Sequence, residues 1–426
     1  MRLIKPGDSG VYVQYLSLAL ERAGYSVGDI SNEFDSRVYN SLIAFQNASS
    51  LTGDGVAGEQ TWNALLPYLR GYVVVTVTAG DTVDSLAQQY GTSPGAIETA
   101  NPFITQNELS PSAEVIVPLG FDVVPNNVDY SYFLVSLILD GLLARYPYIT
   151  VGSAGRSVMG RNLYYIVIGS GNTEVFVNAA HHANEWITTP VVLKYAEEYL
   201  LAFSSGGQID GFDARTLFET KKLYIMPLVN PDGVDLVNGA IDTDNSYYLR
   251  ARSIAAEYPF IEFPSGWKAN IEGTDLNLNY PANWQTAREI KSSLGFVGPA
   301  PRDYVGMAPL SADESRTVYN FTIIRNFALT ISMHTQGEVI YWKYLDYLPP
   351  RSEEIGTEMS NVSGYRLECT PYSSGFAGYK DWYISFYNRP GYTVEAGIGQ
   401  NPIPISQFSS LYVPCRGIIS VALAEI

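Results

Sequence analysis

A chain of 426 residues is longer than one small hydrophobic core supports, so about two to four domains are expected. Its 46% hydrophobic and 16% charged residues describe a folded globular protein, not a disordered or fibrous one. The formal net charge of −17 excludes nucleic acid as the main partner and argues against anionic membranes, because both attract clustered Lys and Arg. Two cysteines, Cys369 and Cys415, exclude a disulfide scaffold and leave open whether they pair or stay free. No apolar stretch follows the basic residue near the start, Met1 to Asp8, so the expectation is no secretory signal and synthesis in the cytoplasm. The apolar run Phe133 to Ala144 is too short to span a bilayer and contains Asp140, so no membrane insertion is expected.

Residues 1–70 read as a small all-α module. Val11, Leu16, Leu18 and Leu20 fall in one helical segment ending near Gly24, and Ser36 to Gln46 carries Val38, Leu42, Ile43 and Phe45 at helical spacing. Gly53-Asp54-Gly55 marks a turn, and Thr61 is placed to cap a third helix. The run Gly7-Asp8-Ser9-Gly10, Gln14, Leu16, Ala44-Phe45-Gln46, Asp54 to Gly58 and Thr61-Trp62 resembles the peptidoglycan-binding module of wall hydrolases.

Residues 71–120 read as a β-α-α-β unit. A β-branched strand, Tyr72 to Thr78, precedes a helix capped by Gly80-Asp81-Thr82, a second helix around Ile97 and a closing strand, Val115 to Pro118. The signature Ala79-Gly80-Asp81-Thr82-Val83, Ala87, Tyr90-Gly91, Ala100-Asn101-Pro102 and Val117-Pro118 resembles a LysM module, which implies binding to N-acetylglucosamine-containing glycan. Residues 121–127, with Pro125 and paired Asn, read as a linker.

Residues 128–426 alternate strand and helix patterns. Leu163 to Gly169, Glu174 to Ala180, Lys222 to Val229, Ala328 to Met333, Val339 to Trp342 and Tyr392 to Glu395 are strand-length apolar runs, and Thr188 to Phe203 is an amphipathic helix. The expected fold is α/β, a mixed and largely parallel sheet with helices on both faces.

The histidines number three: His181, His182 and His334. His182 and Glu185 follow one strand at a spacing of three, His334 ends a second strand, and Glu395 ends a third. Imidazole with carboxylate suits a borderline-soft dication such as zinc, and a His₂Glu set with an open fourth position is a catalytic arrangement. In open α/β sheets ligands gather at the carboxyl ends of strands, where these residues converge.

The large segment is identified as a member of the zinc carboxypeptidase family on these residues together with Asn230-Pro231-Asp232-Gly233 and Gly273-Thr274-Asp275-Leu276-Asn277. The resemblance implies one Zn²⁺ per chain on His182, Glu185 and His334, with Glu395 as catalytic base. It implies a cation beside the oxyanion, for which Lys268 after Trp267 is the candidate, with Arg250 or Arg252 as alternatives. It also implies a tyrosine that closes over substrate, with Tyr372 nearest the family position and Tyr379 as the alternative. His181 matches no ligand and is expected to orient a neighbour or line the cleft.

One departure bears on substrate. Where the family grips a C-terminal carboxylate with Asn-Arg, this chain has Asn277-Leu278, and leucine cannot make arginine's bidentate contact. Trp267 to Asn270 and Pro301 to Gly306 resemble the branch that hydrolyses γ-D-glutamyl–diamino acid bonds in peptidoglycan stems, some of whose members act during sporulation. Arg302 or Arg288 is then the candidate partner of a diaminopimelate carboxylate. The expected partners are peptidoglycan glycan and stem peptides, with action at the bacterial wall. Two alternatives stand beside this: a metallocarboxypeptidase releasing C-terminal residues, and a non-catalytic wall-binding protein.

Overall fold

A computed structural model describes residues 2–104 and 109–426. Helix α1 (Val11–Arg22) buries Val11, Tyr15, Leu16, Leu18 and Leu20. Helix α2 (Ser36–Ala48) starts where the Asp35 carboxylate accepts the N–H groups of Arg37 and Val38, two of the donors that a helix start leaves orphaned. Helix α3 (Glu59–Arg70) begins earlier than the expected Thr61 cap. Gly58 takes the cap position, and Thr61 lies buried inside the helix, its hydroxyl accepting from Gln46 Nε2 at 3.2 Å.

Strand β1 (Tyr72–Thr76) pairs antiparallel with β2 (Glu114–Pro118), and two helices, α4 (Val83–Tyr90) and α5 (Pro94–Ala100), cover them. Thr82 and Ser85 form a reciprocal capping box at the start of α4. The buried Asn101 explains the Ala-Asn-Pro signature. Its amide donates to the Ile97 and Ile116 carbonyls at 2.6 and 2.7 Å and accepts the Ile116 N–H at 2.9 Å, tying the helix end to β2.

The segment 121–127 is not a loose linker. Val123 and Val124 are buried, and the Arg22 guanidinium donates to the Asp122 and Val123 carbonyls. The apolar run after it forms helix α6 (Tyr132–Arg145), and Arg145 donates to the Gly71 and Leu119 carbonyls at 2.7 Å each. The chain divides into two compact units. The first runs to Asp129 and takes in Phe133–Thr150, and the second holds Tyr130–Tyr132 and Val151–Ile426.

The second unit is built on eight strands: β3 (Thr150–Arg156), β4 (Asn162–Ile168), β5 (Thr173–Ala179), β6 (Lys221–Met226), β7 (Phe327–His334), β8 (Val339–Tyr341), β9 (Arg366–Glu368) and β10 (Gly391–Glu395). Their order is β9-β8-β10-β7-β5-β6-β4-β3. The central β10, β7, β5 and β6 run parallel, while β8 runs antiparallel to β10 and parallel to β9, and β4 runs antiparallel to β6. Burial on both faces accounts for the apolar runs at the centre. Helices α7 (Thr188–Ser205) and α10 (Phe408–Glu425) pack on β5, α8 (Ser352–Ser363) packs on α10, and α9 (Tyr379–Tyr387) packs on β7 and β10. From β5 the chain crosses to β6 on one side and returns to β7 on the other, so the strand order reverses between β5 and β7. A crevice opens at the carboxyl ends of strands at such a reversal. Among the described residues no helix is long and apolar enough to cross a membrane, and both Cys369 and Cys415 are free thiols.

The contact that seats α6 in the first unit is testable. A Cβ on Gly141 would lie 2.0 Å from the Arg70 carbonyl oxygen and 2.9 Å from Val123. Gly141→Leu should therefore destabilise this unit by about 1–3 kcal/mol, the usual cost of overpacking. Scanning calorimetry of the full chain should show a lowered transition; a transition matching wild type would contradict the packing described.

Candidate active site

Strand β5 ends at Ala179, and a sharp turn with Ala180 at φ 53° sends His181 and His182 out of the sheet. A short 3-10 turn, Ala183–Glu185, brings the Glu185 carboxylate back to His182. Asn230 holds this turn in place: its side chain donates to the His181 carbonyl at 3.2 Å and to the Ala269 carbonyl at 3.0 Å, and it accepts the Gly233 N–H at 3.0 Å. The Asn-Pro-Asp-Gly motif is therefore a staple between two loops of the site.

Across the strand reversal, β7 delivers His334. Glu185 Oε1 lies 3.0 Å from His182 Nδ1, Glu185 Oε2 lies 2.9 Å from His334 Nδ1, and the two Nδ1 atoms are 3.1 Å apart. The His182 Nε2 edge meets Asp275 Oδ1 at 3.0 Å. A proton held at Nε2 by that carboxylate leaves Nδ1 as a free lone pair, the usual arrangement behind a metal-binding histidine. Two nitrogens and a carboxylate facing inward from a buried wall fit a zinc ion. With metal–ligand distances of about 2.0–2.1 Å, tetrahedral ligand atoms sit about 3.3–3.4 Å apart, close to the spacings found.

The loop 267–275 supplies the surrounding charges. The Trp267 indole N–H donates to the Asn270 carbonyl at 3.0 Å, and the Asn270 amide donates to the buried Glu314 at 3.0 Å. So fixed, the loop presents Lys268, whose Nζ lies 3.3 Å from Glu185 Oε1, and Asp275. Burial works against the Lys268 charge, but Glu185, Asp275 and Glu395 outweigh it and raise its pKa. Burial pushes the Glu395 carboxyl up to about 7, with the Glu185 charge adding to it. Glu395 ends β10, opposite His334 in register.

These groups open into a cavity of about 900 Å³ lined by His182, Lys268, Asp275, Asn277, Leu278, Arg302 and Glu395, among others. Arg302 stands at the wall with its Nε on Asp303 at 2.7 Å. Arg288 does not line the cavity; its guanidinium lies over the Trp284 ring, 5.6 Å from the centroid. Arg250 is held by Glu272 at 3.0 Å, and neither it nor Arg252 lines the cavity, which leaves Lys268 as the cation beside the donor cluster. Tyr372 is 72% exposed and stands edge-on to Phe376 beside the lining residues Pro371 and Ser374. Tyr379 is fully buried with its hydroxyl on Thr322 at 3.0 Å, so it has no freedom to close over a ligand. His181 lies behind the site with Nε2 on the Tyr280 hydroxyl at 3.0 Å; burial and the two neighbouring imidazoles hold it neutral.

The orienting role of Asp275 is not evident from its motif alone, and nothing in the sequence marks Asn401, whose side chain bonds Thr335 beside the donor cluster. The buried pair Lys380 and Asp381 in the cavity wall likewise carries no sequence signal.

The model of the zinc carboxypeptidase family matches residues 136–408. The chain belongs to this family. A peptidoglycan binding domain model matches residues 9–65, and a LysM domain model matches residues 75–118. Gamma-D-glutamyl-L-diamino acid endopeptidase 1 of Lysinibacillus sphaericus is 39% identical over 305 residues, 72% of this chain and 75% of that protein. Thrombin activatable fibrinolysis inhibitor shares the fold at TM-score 0.55 and 16% identity, over 75% of this chain and 89% of that one. Carboxypeptidase A of Helicoverpa armigera shares it at TM-score 0.53 and 19% identity, over 81% of each. The protein is thus a zinc metallopeptidase with two domains of wall-binding type before its zinc carboxypeptidase domain.

If His182, Glu185 and His334 hold the zinc, a His182→Ala, His334→Ala double variant should retain none after gel filtration. Asp275→Asn should keep the site but weaken zinc binding by about 10–100-fold, the usual cost of losing a carboxylate behind a ligand histidine. Chelator competition with elemental analysis measures both; wild-type affinity in either variant would contradict the assignment.

Proposed function

We propose that this zinc metallopeptidase hydrolyses the γ-D-glutamyl–diamino acid bond of peptidoglycan stem peptides. The observation that carries the reading is the 39% identity, over three quarters of its length, to a gamma-D-glutamyl-L-diamino acid endopeptidase. The Asn277-Leu278 wall supports it, since it offers no guanidinium to a free C-terminal carboxylate where the family has one.

Bound at His182, Glu185 and His334, zinc would polarise the scissile carbonyl and make its water acidic enough to deprotonate near neutral pH. Glu395 takes the proton from the attacking water and passes it to the departing amine. The carbonyl carbon thereby gains hydroxyl and the C–N bond breaks. Lys268, kept charged by the carboxylates around it, faces the oxygen on which negative charge gathers. Asp275 holds the His182 ring in orientation. Arg302 is positioned to meet a substrate carboxylate with the guanidinium nitrogens that Asp303 does not engage. Tyr372 is the side chain at the rim free to swing over bound substrate. The first two domains bring the reaction to insoluble wall.

Mass analysis of a defined L-alanyl-γ-D-glutamyl-diaminopimelyl-D-alanine stem tests the bond. The expected products are L-alanyl-D-glutamate and the diaminopimelyl fragment. Release of D-alanine alone would instead show a carboxypeptidase, and no cleavage by zinc-loaded protein would show a non-catalytic binder.

Glu395→Gln should keep zinc and fold while losing about 10²–10⁴-fold in kcat, because glutamine preserves shape but accepts no proton. Wild-type turnover in that variant would move the base elsewhere.

A further inference from the structure

Behind the loop that carries Lys268 and Asp275 lies a group of acids with no task in the mechanism above. Glu314 stands in the first turn of the helix Asp313–Ile323, and Asp232 and Asp235 belong to the short helix Pro231–Val237. All three are at most 2% exposed. The turn between β3 and β4 caps them. Its Val158 N–H donates to Glu314 Oε1 at 3.2 Å, and the next N–H, of Met159, donates to Asp232 Oδ2 at 2.8 Å. Consecutive N–H groups of one turn thus hold one carboxylate each, which makes Glu314 and Asp232 neighbours. Arg161, at the end of the turn, supplies a cation 2.8 Å from Asp235 and 3.4 Å from Asp232.

Three carboxylates around one guanidinium leave a buried excess of negative charge, which is costly unless a further cation enters. A metal is not that cation, because among the described residues His182, Glu185 and His334 are the one set able to share an ion. A proton meets the need. Asp235 has the Tyr132 N–H on one oxygen, at 2.8 Å, and Arg161 on the other. Asp232 Oδ1, by contrast, is buried without a hydrogen-bond partner. An orphaned acceptor beside a second carboxyl is where a proton between the two would sit. The surroundings favour it. Burial pushes the Glu314 carboxyl up to about 7, with the Asp232 charge adding to it. Burial raises Asp232 as well, with Arg161 chief among the groups opposing it, and raises Asp235 to about 6. The Tyr280 phenol, which feels the Glu314 charge, is kept protonated by burial, and Asp313 on the same helix pairs with Arg316 at the surface.

This group reaches the active site through one residue. Glu314 Oε2 accepts from the Asn270 amide at 3.0 Å, and Asn270 Oδ1 accepts the Glu272 and Thr274 N–H groups at 3.2 and 3.0 Å. Asn270 is therefore the hub of the loop, and its amide is not free to flip. We propose that Glu314 and Asp232 share one proton, and that the acid–carboxylate pair so formed is a positioning element that seats the loop of Lys268 and Asp275. Each Glu314 oxygen then accepts an N–H while its O–H donates to Asp232 Oδ1. Loss of the proton sets two buried charges against each other and unseats the loop, so that Asp275 loosens its hold on His182 and Lys268 leaves the oxyanion. An acid held above its ordinary range keeps its proton until pH rises through its folded-state value, so the loss falls on the alkaline side. The inference rests on the roles given above to Lys268 and Asp275.

Infrared titration of zinc-loaded protein reads the proton directly, in a Glu395→Gln background that removes the other carboxyl pushed towards neutrality. A protonated-carboxyl band should persist to near-neutral pH and be missing when Glu314→Gln is added. With Asp232→Asn it should vanish in the ordinary acid range, because the asparagine amide donates to Glu314 without needing a proton. The Asp235 contribution stays in every variant and cancels in the differences. Chelator competition reads the loop through Asp275. Asp232→Asn should bind zinc within about threefold of wild type near pH 6 but about tenfold tighter than wild type near pH 9, the scale of a carboxylate's effect behind a ligand histidine. A merely structural Asp232 would change binding equally at both. Absence of the band from the Glu395→Gln protein overturns the proposal even if neither further variant folds, and so does a zinc-affinity ratio that does not move with pH. Either result leaves the peptidase reading intact. Failure to cleave any stem peptide sinks that reading instead, and the infrared and zinc measurements, which need no substrate, still decide this one.

Discussion

Three carboxylates, the buried Glu185 and Asp275 and the half-buried Glu395, stand around one small space at the ends of three strands. Charges of one sign are costly to bury together without a counter-cation, and the site answers that cost in three ways. Asp275 is held below the usual carboxylate range despite its burial, because His182 and Lys268 favour its charge. Glu395 goes the other way, toward neutral pH, because burial and the Glu185 charge both oppose its ionisation. Glu185 and the two Nδ1 atoms complete a donor set whose natural occupant is a divalent ion. The rest of the unit serves this arrangement: the reversal of strand order opens the crevice, Asn230 fixes the first loop, and Trp267, Asn270 and Glu314 fix the second.

Much of this was legible in the sequence, for a physical reason. A strand buried on both faces is an apolar run, so a His or Glu at its carboxyl end announces both strand and site; His182, Glu185, His334 and Glu395 all have that signature. Edge strands carry no such signal. Thr150–Arg156 and Arg366–Glu368 have mixed composition, and neither was anticipated. Thr61 misled because Thr before an apolar helix looks like a cap, whereas its hydroxyl answers the buried Gln46. Arg288 and Arg302 could not be separated by sequence, because which arginine reaches a cavity depends on helix rotation and loop path. The segment 121–127 looked like a linker because its Pro and Asn are visible, while the burial of Val123 and Val124 is not.

With a net charge of −17, bulk attraction would not hold this protein on a bacterial wall, the site of action proposed above. Attachment there would fall to hydrogen bonds and ring contacts in the domains of wall-binding type. Two weak sites on one chain raise local concentration, and avidity gains of about 10²–10⁴-fold need no further contact. Inside the second unit the cavity wall carries both signs: Lys268 and Arg302 stand beside Glu185 and Asp303, so the cations are held in place by carboxylates around them.

The account stands on the position and orientation of the donor set, and anomalous diffraction at the zinc edge tests that most directly. Crystals of zinc-loaded protein should show one peak in the second unit, about 2.0–2.1 Å from Nδ1 of both His182 and His334 and touching the Glu185 carboxylate. The Nε2 edge of His182 should remain on Asp275. A peak elsewhere, or zinc on the Nε2 side of His182, would contradict it.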